Sequence, residues 1–303
     1  MPPRLSLRSH LFRLAVRSLI VPCISGYAPV AKRRARLELT TRLTRLPLPA
    51  GTQVEPTTFR GVPGEWVRNL RITPKRTVLY LHGGAYAIGS PAVYREYMAQ
   101  MARQWQAQVA VIDYRMAPEH PFPAALDDAI AAYQSLLESG VAATDLVVAG
   151  DSAGGGLTLA CALKARELGL SQPDALAVVA PWTDLTMSGE SAQKVRDDML
   201  FNATMNIAAK DYLAGAPATT PLASPLYADL RGLPRTLIQV TDTELLLSDA
   251  TRLDTALRAA GVGSVLRVWK GLWHVWPLFA GKLPEADAAL REAAEFLDGP
   301  ARP

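Results

Sequence analysis

The residues of this chain best placed to do chemistry are a serine, a histidine and a carboxylate, far apart in sequence and each following an apolar run. Ser152 stands in Gly150-Asp-Ser-Ala-Gly154, between the run Leu146–Ala149 and a helix-forming stretch. The flanking glycines leave a tight turn free of side chains. Such a turn can hold the Ser152 hydroxyl up as a nucleophile, with the N–H of Ala153 beside it. Gly-x-Ser-x-Gly alone carries little weight. A second glycine turn adds to it, because Thr77-Val-Leu-Tyr-Leu81 empties into His82-Gly83-Gly84-Ala85. Acyl transfer puts negative charge on a carbonyl oxygen, and that charge needs N–H donors already in place. Gly83, Gly84 and Ala153 are the expected donors, the two glycines because a backbone without Cβ can approach the substrate closely.

The base follows by elimination. Histidines stand only at 10, 82, 120 and 274, and in the chain order nucleophile, acid, base only His274 comes after Ser152. It lies in Lys270-Gly-Leu-Trp-His274, just past the strand-like Val265–Trp269. The acid should follow the strand Thr236–Val240, where Asp242, Glu244 and Asp249 stand. Its task is to accept the Nδ1 proton of His274, fixing the tautomer and stabilising the imidazolium that forms. Asp249 falls inside the helical stretch Leu246–Ala260, where a first-turn acid has a simpler role at the helix N-terminus. Spacing leaves Asp242 and Glu244 open. Tyr86, Trp182, Trp273 and Trp276 lie beside these motifs and are candidate pocket walls, although large aromatics as often fill cores.

These residues need a frame that presents them together. Short apolar runs at 78–81, 109–112, 146–149, 176–180, 236–240 and 265–269 alternate with helical stretches, which predicts an α/β protein with a mostly parallel sheet covered on both faces. Ligands of such sheets bind at the carboxyl ends of the strands, where every element above sits. With 303 residues and 49% hydrophobic content, the chain can bury one large core and carry an appendage.

Other classes find little support. The two cysteines, Cys23 and Cys161, form no CxxC pair, so neither a disulfide framework nor a metal site is expected. Gly154-Gly155-Gly156 lacks a P-loop lysine and dinucleotide spacing, and close helix–sheet packing is its expected role. Residues 1–45 carry ten Lys or Arg against Glu38 alone, a balance of +9 that leaves −5 for the remainder. That segment could touch an anionic membrane surface. Arg4 and Arg8, however, fall nearly opposite Arg13 and Arg17 on a helical wheel, which argues against one wide apolar face. The apolar stretch Leu19–Ile24 is too short for a secretory signal, and nothing is long enough for a membrane span. Nucleic-acid binding has no support beyond the basic segment.

Over roughly residues 50–298 the chain resembles bacterial esterases of the hormone-sensitive-lipase-like branch (family IV) of the α/β-hydrolases. His82-Gly83-Gly84 and Gly150-Asp-Ser-Ala-Gly154 match the motifs that mark the branch. The segment Asp113-Tyr-Arg-Met-Ala-Pro-Glu-His-Pro-Phe-Pro, with Pro181-Trp-Thr-Asp-Leu-Thr186 and Ser224-Pro-Leu-Tyr-Ala-Asp-Leu, is also similar. The resemblance implies the α/β-hydrolase fold, a mostly parallel eight-stranded sheet flanked by helices, with a helical cap. The cap would comprise residues 1–48 and 184–222 and the core 49–183 and 223–303, with Pro47-Leu-Pro-Ala-Gly51 as a linker. The family places its acid in an Asp-Pro-Leu motif about thirty residues before the histidine. That register lands on Glu244, here in Glu-Leu-Leu, so the implied triad is Ser152, Glu244 and His274. Ala85 stands where many members have a third glycine.

The implied activity is that of a serine carboxylesterase acting on short- to medium-chain esters without metal or organic cofactor, in the cytoplasm, with a small-molecule ester as partner. A homodimer is compatible with it. Lactones and small acetylated metabolites are alternative substrates of the same chemistry. Because the branch includes receptors that have lost catalysis, a non-catalytic ligand-binding protein is the alternative of another class.

Overall fold

The computed structural model describes residues 5–24, 28–195 and 199–299. Eight strands form one sheet: β1 (Thr52–Phe59), β2 (Val62–Asn69), β3 (Arg76–Leu81), β4 (Ala107–Ile112), β5 (Leu146–Asp151), β6 (Ala175–Val179), β7 (Arg235–Thr241) and β8 (Ser264–Trp269). Their order across the sheet is β1-β2-β4-β3-β5-β6-β7-β8. β2 runs antiparallel to both its neighbours, and every pairing from β4 onward is parallel. The strands β3 to β6 are buried almost throughout, as their continuous apolar runs require of a sheet covered on both faces.

The helices are α1 (Leu7–Ala15), α2 (Val21–Ile24), α3 (Val30–Thr44), α4 (Pro91–Gln104), α5 (Ala124–Glu138), α6 (Ser152–Glu167), α7 (Glu190–Lys194), α8 (Asn202–Leu213), α9 (Leu247–Ala259) and α10 (Pro284–Asp298). Successive side chains of β3 sort to opposite faces. Leu79 and Leu81 pack with α5, α6 and α9, while Val78 and Tyr80 pack with α4 and α10. Each fully buried leucine or valine contributes about 1.5–3 kcal/mol, so these two apolar layers hold the sheet.

The strand order reverses at β3: the chain steps to one side to lay down β4 and then crosses to the other for β5. Such a switch point leaves a crevice at the carboxyl ends. The register pairs Leu81 with Gly150, so His82 and Asp151 leave the sheet side by side.

The N-terminal helices are fastened to the far end of the chain. The backbone N–H of Ser6 donates to Glu285 Oε1 at 2.6 Å and its hydroxyl to Oε2 at 3.0 Å. Arg13 Nη2 donates to the carbonyls of Gly271 at 2.8 Å and Leu272 at 3.2 Å. On α3, Arg34 bonds the carbonyls of Ala87 and Ala117 and pairs with Glu119. Ser9 and Val16 turn inward, and Leu7, Leu11 and Leu14 are exposed on one stripe. Arg4 lies outside the described residues. No described helix is long and apolar enough to cross a membrane.

Candidate active site

Ser152 is the first residue of α6 and sits at φ +52°, in the left-handed region that a side chain other than glycine's adopts only under constraint. The constraint is local packing. A Cβ at Gly154 would lie 2.0 Å from the carbonyl oxygen of Leu81, so the elbow closes against β3 only because that position has no side chain. Cβ atoms at Gly155 and Gly156 would strike Pro181 and the carbonyl of Trp182, in keeping with a close-packing role for the glycine run.

Asp151, immediately before the serine, ties the two glycine turns together. Its buried carboxylate accepts from Tyr80 Oη at 2.7 Å, Tyr94 Oη at 3.0 Å and the backbone N–H of Gly83 at 3.0 Å. Burial raises its pKa, and these three donors act against that rise. The bond from Gly83 corrects the sequence expectation: an N–H committed to Asp151 is not open to a substrate oxygen. The next two N–H groups on the loop, those of Gly84 and Ala85, have no such bond among the described residues. Gly84 and Ala85 both take positive φ as the loop turns, at +118° and +55°. Ala153 lies in the first turn of α6, where N–H groups lack intrahelical acceptors. His82 does not face the serine. Its ring stacks on Tyr114 with centroids 4.3 Å apart, and Nδ1 donates to the carbonyl of Gly83 at 2.8 Å. Complete burial drops its pKa to about 4, so this ring is neutral.

Of the three candidate acids, Glu244 meets the histidine. Its Oε2 lies 2.5 Å from His274 Nδ1, and its Oε1 accepts the N–H of Thr241 at 2.9 Å. Both residues are buried. Asp242 instead accepts the N–H of Gly271 at 2.8 Å, bracing the loop that carries His274. Asp249 does stand in the first turn of a helix, but its buried carboxylate accepts from the N–H groups of Thr183 and Asp184, at 2.8 and 2.9 Å. It pins the loop after β6 to α9, and burial pushes its pKa up to about 7.

Ser152, His274, Gly83, Gly84 and Ala85 open on one cavity of about 190 Å³. Its walls come from Ile20, Ile24 and Leu37 of the N-terminal helices, Leu200 and Met205 at α8, and Val275 and Leu278 beyond the histidine. The four aromatic candidates are core instead. Tyr86 stacks on Tyr212, Trp276 packs on Trp269, Trp273 packs on Phe279 and Trp182 donates its indole N–H to the carbonyl of Asp184. Sequence reasoning did not single out Arg33, which also reaches the cavity. Its signal is the spacing of Arg33, Leu37, Thr41 and Thr44, one face of a helix.

The chain belongs to the α/β-hydrolase fold family, whose model matches residues 78–278. It is 43% identical over 235 residues to an acetyl-hydrolase of Streptomyces hygroscopicus, covering 77% of this chain and 78% of that one. An esterase of Acinetobacter venetianus is 35% identical over 247 residues, 80% of this chain and 81% of its own. The crystal structure of an esterase from the bacterial hormone-sensitive lipase family superposes with a TM-score of 0.91 at 37% identity, covering 97% of this chain and 98% of that one. Within the family this chain falls in that branch, and it is a carboxylic ester hydrolase.

Proposed function

We propose that Ser152, His274 and Glu244 form the catalytic triad and that the chain hydrolyses short- to medium-chain carboxylic esters through an acyl-enzyme. The observation that carries this reading is the 2.5 Å contact of His274 Nδ1 with Glu244, both buried beside the cavity onto which Ser152 opens. The carboxylate keeps the imidazole proton on Nδ1 and leaves Nε2 as the base. His274 takes the Ser152 hydroxyl proton as Oγ attacks the ester carbonyl. The N–H groups of Gly84, Ala85 and Ala153 receive the oxyanion, with Ala85 replacing Gly83 in the set read from sequence. The tetrahedral intermediate collapses, the C–O bond to the alcohol breaks and His274 returns the proton to the leaving oxygen. Water then repeats the sequence on the acyl-enzyme.

A cavity of about 190 Å³ is smaller than the roughly 300–1,000 Å³ of drug-sized pockets, which supports acyl groups of short to medium length. We read residues 1–48 and 184–222 as a cap, because Ile20, Ile24 and one face of α3, with Thr204 and Met205 of α8, supply much of the cavity wall. The test is hydrolysis of a chromogenic ester series from acetyl to palmitoyl by wild type and Ser152→Ala, with folding followed by circular dichroism. Turnover of short chains that is absent from the folded variant supports the reading. Turnover retained in Ser152→Ala overturns it, and a folded wild type inert on every chain length shifts weight to a lactone or small acetylated substrate.

A second reading concerns partners. The exposed leucines 7, 11 and 14 lie in the most basic part of the chain, a combination suited to an anionic lipid surface. Vesicle co-sedimentation that is lost in Leu11→Gln/Leu14→Gln would support such contact.

A further inference from the structure

Among the described residues, the cavity holds a cation that no neighbouring side chain pairs with. Arg33, Leu37, Thr41 and Thr44 are spaced as one face of α3, and all four line the cavity that Ser152 and His274 share. Arg33 is only 5% exposed, and its buried Nε has no hydrogen-bond partner among the described residues. The other charged groups that the described residues bring to the cavity have partners. Glu96 and Lys282 pair with each other at 2.5 Å. The oxygens of Asp151 are occupied by Tyr80, Tyr94 and Gly83. Asp211 on α8 acts on Arg33 through space, with no hydrogen bond between them, and Arg34 beside it adds like charge. Burial pulls the Arg33 pKa below its ordinary value, yet a guanidinium stays charged at any pH the fold survives. An uncompensated buried cation is costly, and an arriving anion offsets that cost.

We propose that Arg33 is a specificity residue that receives a carboxylate carried by the substrate, so that the preferred esters have an anionic acyl or alcohol part. This rests on the ester-hydrolase reading of the same cavity and narrows its substrate class. The guanidinium offers Nε–H and an Nη–H as a planar fork matching the two oxygens of a carboxylate. On the acyl side the substrate is a half-ester of a small dicarboxylic acid; on the alcohol side it is an acylated hydroxy acid. The chemistry at Ser152 is unchanged in either case, because Arg33 binds a group that does not react.

The experiment compares isosteric ester pairs in wild type, Arg33→Met and Arg33→Lys by pH-stat. Ethyl hydrogen succinate against ethyl levulinate places the charge on the acyl side, and acetoxyacetate against acetoxyacetone places it on the alcohol side. Expected is a preference of wild type for the anionic member of at least one pair by about fivefold or more in kcat/KM. For that pair the anionic-to-neutral ratio falls about 10- to 100-fold in Arg33→Met, mainly through KM of the anionic ester, the scale of a charged hydrogen bond. Arg33→Lys restores part of the ratio, which a purely structural role for the side chain would not produce. A ratio that is the same in wild type and Arg33→Met overturns the proposal. Should Arg33→Met fail to fold, wild type decides alone: a preference below fivefold in both pairs overturns it. Neutral esters turned over with a flat ratio would remove Arg33 from specificity and leave the esterase reading standing.

Discussion

Asp242 and Glu244 are two residues apart and chemically alike, yet one braces a loop and the other meets the histidine. The difference is reach and burial: the exposed Asp242 carboxylate ends at the N–H of Gly271, whereas the longer Glu244 side chain turns inward to His274 Nδ1. Glu244→Ala should therefore lower kcat by about 10³- to 10⁴-fold, as removing the orienting acid does in serine hydrolases. Asp242→Ala should retain activity within about tenfold, and steady-state kinetics on one short-chain ester separates the two. Spacing alone could not make this choice, because both carboxylates leave the same strand. The Gly83 misassignment has the same origin: nothing in His-Gly-Gly says which N–H is already claimed, since the claimant, Asp151, lies 68 residues away. His82 yields a pH prediction. Its folded pKa of about 4 lies below the unfolded value of 6.5, so its contribution is complete above pH 6.5 and is lost as the pH falls toward 4. The loss amounts to about 3 kcal/mol in all. Asp249, raised to about 7, works oppositely, favouring the fold as the pH falls over the same range. Lowering the pH from 7 to 4.5 should accordingly be less destabilising, by urea midpoint, in His82→Gln than in wild type, with Asp249 acting equally in both.

Elements with strong apolar runs were legible, and those without them were not. The strands from β3 to β8 are found within a residue or two of the runs at 78–81 through 265–269. β1 and β2 carry no such run. β1 is an edge strand, mostly exposed, with Pro56 in it, and β2 mixes Gly64, Glu65 and Arg68 with its apolar residues, so neither has the pattern of a buried strand. The elbow and α6 are an element-scale fit that depends on one missing side chain. Gly154→Ala would drive a Cβ into the backbone carbonyl of Leu81 and should cost about 3 kcal/mol or more, seen as a large fall in melting temperature. Asp249→Ala would leave the N–H groups of Thr183 and Asp184 buried without acceptors. About 2–4 kcal/mol is expected at pH 8, where the carboxylate is ionised, measured by chemical denaturation.

At the scale of the whole molecule the N-terminal segment forms part of the cavity wall. It contributes Ile20, Ile24, Arg33 and Leu37 to the cavity, and Arg13 holds two carbonyls of the loop leading to His274. Deleting residues 1–45 should thus lower kcat/KM by at least about 100-fold even if vesicle binding is lost too, because small displacements of a base are that costly. Activity that survives the deletion while vesicle binding disappears would make the segment an anchor rather than a wall. Charge counting alone could not tell these apart, since it sees arginines and not what each one touches.

Ser6 and Glu285 bond across 279 positions of sequence. A ribosome delivers the first of these residues 279 positions before the second. The N-terminal helices therefore wait, without their partner on α10, while the positions between are made. His274 and its loop are made late as well, so the carbonyls of Gly271 and Leu272 meet Arg13 only then. A nascent chain holding the serine elbow but not α10 has Ser152 in its turn before Glu285 is there to hold Ser6.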